Sequence, residues 1–178
     1  MLDTLIQIDS NILIFVQEHI RQPFLTPFVI IITNLGDSGI VWIVISVLLI
    51  VMNKTRKVGA MCLTSLLCSF IISNLLLKNL FARVRAFDII TGLEVLIARP
   101  LDYSFPSGHT ASSFAAAFII YRNLPKRFGI PAMILAILIS MSRLYLGVHY
   151  PSDILFGVIM GILAGYLAEK IVNRLHKG

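Results

Sequence analysis

The chain has 178 residues, enough for one domain of ordinary size. Apolar residues make up 57% of it and charged residues only 13%, whereas a soluble domain has about 25% charged residues. With a mean hydropathy of +0.89, this composition excludes an ordinary soluble protein and predicts an integral membrane protein. The net charge of +6 is therefore attributed to Lys and Arg in cytoplasmic loops, not to a nucleic-acid-binding surface.

Residues 1–21 are predicted to form an interfacial amphipathic helix. Apolar side chains such as Leu5 and Ile12 alternate with polar ones, which are too frequent for a membrane span. Asp3 and Asp9 stand where a secretory signal peptide would carry basic residues, and no small-residue cleavage site follows. We therefore expect no signal peptide.

Six apolar segments follow and predict six transmembrane helices in one all-α domain, 1–178. The first two are short and need a thinned bilayer to span it, and Trp42 in the second is expected to anchor it at the membrane interface. The segments are 23–35, 40–52, 58–81, 108–121, 129–146 and 151–172.

The distribution of basic residues predicts the orientation. If the 53–57 loop is cytoplasmic, so are the 122–128 loop and both termini, and the loops 82–107 and 147–152 lie together at the outer face. Because basic residues collect on the cytoplasmic side, the larger group should mark it. That group is Arg21, Lys54, Arg56, Lys57, Arg122, Lys126, Arg127, Lys170, Arg174 and Lys177.

Small residues predict a close helix contact. Gly157, Gly161 and Gly165 recur every four residues in the sixth segment, and the fourth is rich in Ala and Ser. Such residues let membrane helices approach closely, so the two segments are expected to touch, although the glycines could instead mark a dimer face. Cys62 and Cys68 are six residues apart on one helix and are not expected to pair.

Ionisable residues at membrane depth are costly and tend to be functional. Fixed cations gathered at one face suggest a bound anion, and phosphate is an anion that both Arg and Lys side chains bind. Two histidines beside it suggest a nucleophile and a general acid. The residues on the outer side are Lys78, Arg85, His109, Arg143 and His149, followed by Asp153.

The neighbouring residues fit this chemistry, although each also has a simpler interpretation. Asp153 could orient His149 or only complement a helix dipole. Gly108 could let the backbone approach a phosphate, and Ser107 could be only a helix N-cap. The basic side chains of Lys78 and Arg143 could merely extend to lipid headgroups.

Three motifs together resemble the type-2 phosphatidic acid phosphatase superfamily. They are Lys78 with Arg85 seven positions later, then the run from Pro106 to His109, then Ser142-Arg143 followed by His149 and Asp153. One departure is Ala86, where the family usually has proline. The resemblance implies His149 as nucleophile, Asp153 as its orienting acid, His109 as general acid, no metal or other cofactor, and phosphate binding by Lys78, Arg85, Ser107, Gly108 and Arg143.

The function expected from the sequence is therefore a lipid phosphatase at the outer leaflet of the cell membrane, with the 82–107 loop at its active site. Undecaprenyl diphosphate is the first choice of substrate, with phosphatidylglycerophosphate and phosphatidic acid as alternatives. The oligomeric state is left open. Haloperoxidation through bound vanadate is a weaker hypothesis, because the resemblance places that chemistry in soluble members of the superfamily. A non-catalytic lipid-binding or transport role is also weaker, because two histidines exceed what binding alone requires.

Overall fold

The computed structural model describes residues 2–175, with side chains from residue 4 onward, and this part of the chain is helical with no strand. In the first half of the chain, the α-helices continue into other helical turns or are joined by them. The first α-helix runs on as a π-helix, Val16–Ile20, and a short 3-10 turn, Asp37–Gly39, joins the second α-helix to the third. The α-helices in this first half are α1 (Leu2–Phe15), α2 (Thr26–Leu35) and α3 (Ile40–Val51).

The second half begins with one long helical path and ends with three long helices. The path comprises α4 (Arg56–Ser69), a π-helix Phe70–Leu77 and α5 (Lys78–Phe81). It is followed by α6 (Ala86–Ile89), α7 (Gly108–Asn123), α8 (Lys126–Tyr145) and α9 (Pro151–Leu175). Lys177, counted above among the cytoplasmic residues, lies outside the described part of the chain.

Helix α7 forms the centre of the bundle and packs against α4, α8 and α9. The predicted contact between the fourth and sixth apolar segments is confirmed. A Cβ atom on Gly161 would lie 2.5 Å from the carbonyl oxygen of Ala111, and one on Gly157 would lie 3.0 Å from that of Ser107. The glycines therefore bring α9 onto α7 within one chain, instead of leaving a bare dimer face.

Three helical paths in residues 2–175 are long and apolar enough to cross a membrane: Arg56–Ile89, Lys126–Tyr145 and Pro151–Leu175. Helices α2 and α3 pass that test only as a pair bent by 45°, which makes a fourth. The bend lies at the turn between them, where Ser38 and Gly39 have φ values of 51° and 67°. Six separate spans are therefore not confirmed, since 23–35 and 40–52 together supply at most one of these candidates.

The expected position of Arg21 was wrong. Its guanidinium donates to the carbonyl oxygens of Tyr145 (2.7 Å) and Glu94 (2.9 Å), at the end of the bundle that carries the 82–107 loop. The path from Arg56 to Phe81 is about 39 Å long at 1.5 Å per residue, so the 53–57 loop lies at the opposite end. Arg21 was assigned by charge alone, whereas hydrogen bonds to carbonyls at the end of α8 and in the 82–107 loop determine its place.

The described ends of the chain also lie apart. Asp9 of α1 contacts Ser152 at the start of α9, while Leu175 ends that helix, about 36 Å away along its axis. Helix α1 and Leu175 therefore lie at opposite ends of the bundle, while the chain termini themselves, which were expected on one face, lie outside the described residues. Helix α1 lies across the end of the bundle where the active-site loops are.

Two smaller expectations have opposite outcomes. Trp42 is not an interface anchor, because it is fully buried and its Nε1 donates to Ser113 Oγ at 2.9 Å. A buried indole N–H needs an acceptor, and the small polar residues of α7 supply one. Cys62 and Cys68 are both free thiols, as expected.

The 82–107 segment packs over the end of the bundle. Its Leu93 is buried beside Leu13 of α1 and Tyr150 of the α8–α9 connection. The backbone amide of Ser104 donates to the carbonyl of Arg83 at 2.9 Å, which draws the two ends of the segment together. The segment thus holds residues before and after it in one place.

Candidate active site

A cavity of about 920 Å³ opens at this end of the bundle, and most of the predicted site residues line it. Helices α5, α7 and α8, the α5–α6 connection and the α8–α9 connection each contribute one or two of them. The side chains come from segments up to 71 positions apart in the chain, so only the folded state brings them together. The predicted residues in the lining are Lys78, Arg85, Gly108, His109, Arg143 and His149.

His149 is held from behind by Asp153. Its Nδ1 lies 3.4 Å from Asp153 Oδ2, and the two side chains are buried. The same carboxylate oxygen accepts hydrogen bonds from Ser104 Oγ at 2.5 Å and from the backbone N–H of Tyr150 at 3.0 Å. With Nδ1 facing the carboxylate, Nε2 of His149 is the ring nitrogen left for the cavity that His149 lines.

Burial determines the charge state of His149. It lowers the pKa of the imidazole to about 3, and Arg85 and Arg143 act in the same direction, against the hydrogen bond and charge of Asp153. A neutral imidazole carries a lone pair on one nitrogen, which is what a nucleophile requires. The geometry thus supports nucleophilic chemistry at His149 at neutral pH.

The helix that begins at Gly108 explains two further predicted residues. Ser107 precedes α7, is fully buried and does not line the cavity; its Oγ accepts a hydrogen bond from Thr110 at 3.1 Å. Gly108 does line the cavity, but a Cβ there would meet Asn74 Oδ1 at 2.7 Å. A side chain at position 108 would therefore displace the Asn74 side chain.

Two of the predicted cations share one carboxylate, that of Asp102. Lys78 Nζ pairs with Oδ2, and Arg85 Nη2 donates to Oδ1 at 2.6 Å. Partial burial alone would raise the pKa of Asp102, but the hydrogen bonds and charges of Lys78 and Arg85 outweigh it and lower the pKa to about 2. Asp102 thus stays ionised and binds donors of Lys78 and Arg85 that would also suit a phosphate.

The third cation, Arg143, has a hydrogen-bond donor that no described residue accepts. Its Nη1 donates to Thr33 Oγ1 at 2.6 Å, and its Nε is buried without a hydrogen-bond partner among the described residues. A buried guanidinium nitrogen without an acceptor is costly. Since Arg143 lines the cavity, an anion bound there could supply that acceptor.

His109 faces a carboxylate of its own. Its Nε2 lies 2.8 Å from Asp37 Oδ1, in the turn between α2 and α3. A carboxylate at this distance favours a proton on Nε2 and fixes the ring orientation. The contact with Asp37 thereby gives the imidazole a fixed direction beside the cavity that it lines.

Several residues of this site were not predicted from the sequence: Asp9, Thr33, Asp37, Arg83 and Asp102. Asp37 did leave a signal, because it is the only acidic residue between Glu18 and Asp88, in a largely apolar stretch. Asp102 is one of three acids in a polar loop, and nothing in its neighbours sets it apart. Among the described residues, no group of three or more His, Cys, Asp or Glu side chains is arranged to hold a metal ion.

The fold and site together define a class: a helical membrane protein in which three cations and two histidines line one cavity. A family comparison makes the assignment specific. Residues 57–177 match the model of the PAP2 superfamily, and the chain belongs to that superfamily.

Individual relatives agree with this assignment. The chain is 35% identical over 134 residues to an undecaprenyl-diphosphatase of Sulfolobus acidocaldarius, covering 74% of this chain and 63% of that protein. It thus spans less than two thirds of that relative. The crystal structure of Aquifex aeolicus LpxE matches with a TM-score of 0.79 and 27% identity, covering 90% of this chain and 93% of LpxE. A Bacillus subtilis PAP2-type phosphatidylglycerolphosphate phosphatase matches with a TM-score of 0.78 and 27% identity, covering 96% and 87%.

Proposed function

We propose that this protein is a lipid phosphatase that hydrolyses a phosphomonoester or diphosphate at the outer leaflet of a membrane. One observation carries the proposal: Lys78, Arg85 and Arg143 share a cavity with two histidines in different environments. Cations alone would serve binding. A neutral imidazole backed by one carboxylate, together with a second imidazole that faces another, supports phosphoryl transfer.

The first step forms a phosphohistidine. The lone pair of His149 Nε2 attacks phosphorus, an N–P bond forms, and the P–O bond to the lipid alcohol or lipid phosphate breaks. His109 gives its proton to the departing oxygen. Lys78, Arg85 and Arg143 neutralise the negative charge that spreads over the remaining phosphoryl oxygens.

The second step returns the enzyme to its starting state. Water attacks the phosphorus of phosphohistidine and gives a proton to the now neutral His109. The N–P bond breaks, its electron pair returns to Nε2 of His149, and inorganic phosphate leaves. Asp153 holds Nδ1 of His149 throughout, so that the ring keeps its direction.

The cavity wall favours a lipid substrate. Beside the charged residues it includes Ile43 of α3, Leu66 and Leu67 of α4, and Phe70, and three of these are exposed at the outside of the bundle. Apolar chains of a lipid can lie against such a wall while the phosphate reaches the cations. Undecaprenyl diphosphate is our first choice, given the Sulfolobus acidocaldarius relative. Phosphatidylglycerophosphate, given the Bacillus subtilis structure, and phosphatidic acid are the alternatives.

We also propose an orientation, revised from the sequence-based one. The site faces outward, and the end of α9 near Leu175 is cytoplasmic, because exposed basic residues crowd that end of the bundle. The bent α2–α3 path crosses once, and α4–α5, α7, α8 and α9 cross once each. Helix α1 lies at the outer surface, where its exposed Leu5, Ile8 and Phe15 can enter the lipid headgroup region.

Phosphate release from a panel of lipids tests the function. The purified protein is incubated in detergent micelles with undecaprenyl diphosphate, phosphatidylglycerophosphate and phosphatidic acid, and released inorganic phosphate is measured. We expect hydrolysis by the parent and by His19→Ala, an exposed histidine of the first helical segment, and loss of at least about 10³-fold in His149→Ala. Parent-like rates in His149→Ala would show that His149 is not the nucleophile. Binding without release by the parent would favour a lipid-phosphate receptor or transporter.

A further inference from the structure

Asp9 is an acidic residue of α1 that the proposed chemistry does not use, yet it is 5% exposed. The amphipathic pattern places polar residues of this helix toward water, so a buried carboxylate is unexpected. A buried charge is tolerated when other groups pair with it and hydrogen-bond it. The partners of Asp9 are therefore informative about the role of the N-terminal helix.

Both oxygens of Asp9 bind residues beside the catalytic histidine. Oδ1 accepts the backbone N–H of Ser152 at 3.0 Å, and Oδ2 accepts Ser152 Oγ at 2.5 Å and Arg83 Nη2 at 2.8 Å. The N–H of Ser152 belongs to the first turn of α9, where backbone donors have no acceptor within the helix. Asp9 thus caps α9 from another helix.

Arg83 joins Asp9 to the catalytic carboxylate. Its Nη1 donates to Asp153 Oδ1 at 2.7 Å and to Ser152 Oγ at 2.7 Å, while Nη2 binds Asp9. Its guanidinium carbon lies 3.9 Å from the centre of the Tyr150 ring. A planar guanidinium held at two carboxylates and one aromatic face has little freedom to rotate.

The two oxygens of Asp153 consequently have separate partners. Oδ1 binds Arg83, whereas Oδ2 faces His149 Nδ1 and accepts from Ser104 and from the backbone of Tyr150. Rotation of the carboxylate would break the contact with Arg83. Arg83 therefore fixes the acceptor that aims the imidazole, and Asp9 fixes Arg83.

We propose that Arg83 and Asp9 are positioning residues of the active site and that α1 is, through Asp9, part of the support of His149. The proposal rests on the phosphatase function proposed above. Arg83 touches neither the cavity nor the reacting atoms; it acts through Asp153. Loss of either residue should thus slow the chemical step without weakening the binding of the lipid phosphate.

Kinetics of the full-length protein test this role, with the best lipid of the panel as substrate. We expect kcat to fall about 100-fold in Arg83→Met and about tenfold in Asp9→Asn, with KM within about threefold, because a misplacement of about 1 Å can cost about 100-fold. Arg83→Lys, which keeps the charge, should recover part of the loss. Asp88→Asn and Arg127→Lys are exposed matched controls and should equal the parent.

A double-mutant cycle separates positioning from a general loss of folded protein. Arg83→Met combined with Asp153→Asn should be no slower than Asp153→Asn alone, since Arg83 acts through that carboxylate. The proposal would be overturned if the losses of the two single variants multiplied in the double variant, or if kcat stayed parent-like in both Arg83→Met and Asp9→Asn. Rates are expressed per amount of monodisperse protein recovered from size exclusion. A variant that does not fold is replaced by its conservative partner. A parent that hydrolyses no lipid of the panel would instead overturn the proposed function.

Discussion

Nε2 of His109 lies 2.8 Å from the carboxylate of Asp37, although 72 positions separate the two residues in the chain. Asp37 occupies the break between α2 and α3, and that break is what brings a carboxylate to the start of α7. A straight helix through residues 26–51 would have no loop there. The bend in the α2–α3 path is thereby connected to the proton donor of the proposed reaction.

Asp37→Asn should lower kcat about tenfold with little change in KM, because the imidazole loses the charge that favours its proton and fixes its orientation. The loss should depend on the leaving group. Hydrolysis of p-nitrophenyl phosphate, whose leaving group needs no proton, should be slowed less than hydrolysis of phosphatidic acid, whose departing alcohol must be protonated. Equal losses on both substrates would show that Asp37 serves the fold and not the proton transfer.

Asp102→Asn should strengthen the binding of inorganic phosphate or vanadate about tenfold. The carboxylate holds Lys78 and Arg85, and a phosphate must displace it from both; a hydrogen bond between charged groups is worth about 1.5–3 kcal/mol. Inhibition of lipid hydrolysis by vanadate gives the inhibition constant. Asp88→Asn is the control, and an unchanged constant in Asp102→Asn would mean that the anion binds elsewhere.

The pH dependence of stability should report the burial of His149. Its pKa is lowered to about 3 in the folded protein, while in the unfolded chain it is about 6.5. The unfolded state therefore binds more protons between these values, so this contribution is complete above about pH 6.5 and is lost as the pH falls toward 3, by up to about 1.4 kcal/mol per pH unit.

Thermal unfolding in detergent from pH 4 to 7.5 checks that expectation. The parent should lose stability toward acid more steeply than His149→Asn, which lacks the titrating group. His19→Asn, at an exposed histidine, should follow the parent. Parallel curves for the parent and His149→Asn would contradict the assignment of a neutral, buried imidazole.

Gly161→Val should destabilise the protein by about 1–3 kcal/mol, because even its Cβ would lie 2.5 Å from the carbonyl oxygen of Ala111 and neither backbone can yield easily. Leu163→Val, at an exposed position of the same helix, should stay within about 0.5 kcal/mol. Denaturation in mixed micelles measures both. If Gly161→Val instead changed only the oligomeric mass, the glycines would belong to a dimer face.

The sequence predicted much of this molecule because several signals are local. Runs of apolar residues indicate helices regardless of their neighbours, and the glycine repeat indicated the α7–α9 contact. Lys78, Arg85, His109, Arg143 and His149 stand out as charged or imidazole groups in apolar surroundings, and they do line one cavity. The number of spans at 23–52 stays a prediction, because two short apolar segments look alike in sequence whether the turn between them reverses the chain or only bends it.

What the sequence by itself determined is the helical membrane class, the family motifs and the chemistry available at their residues, since composition and spacing carry these. The tertiary structure decided which end of the bundle holds Arg21 and α1, and which carboxylates face the site. Asp9 and Ser152 are 143 positions apart, and their hydrogen bonds depend on how α1 packs against the start of α9. Such contacts arise from packing of the whole chain, and no periodicity within one segment records them.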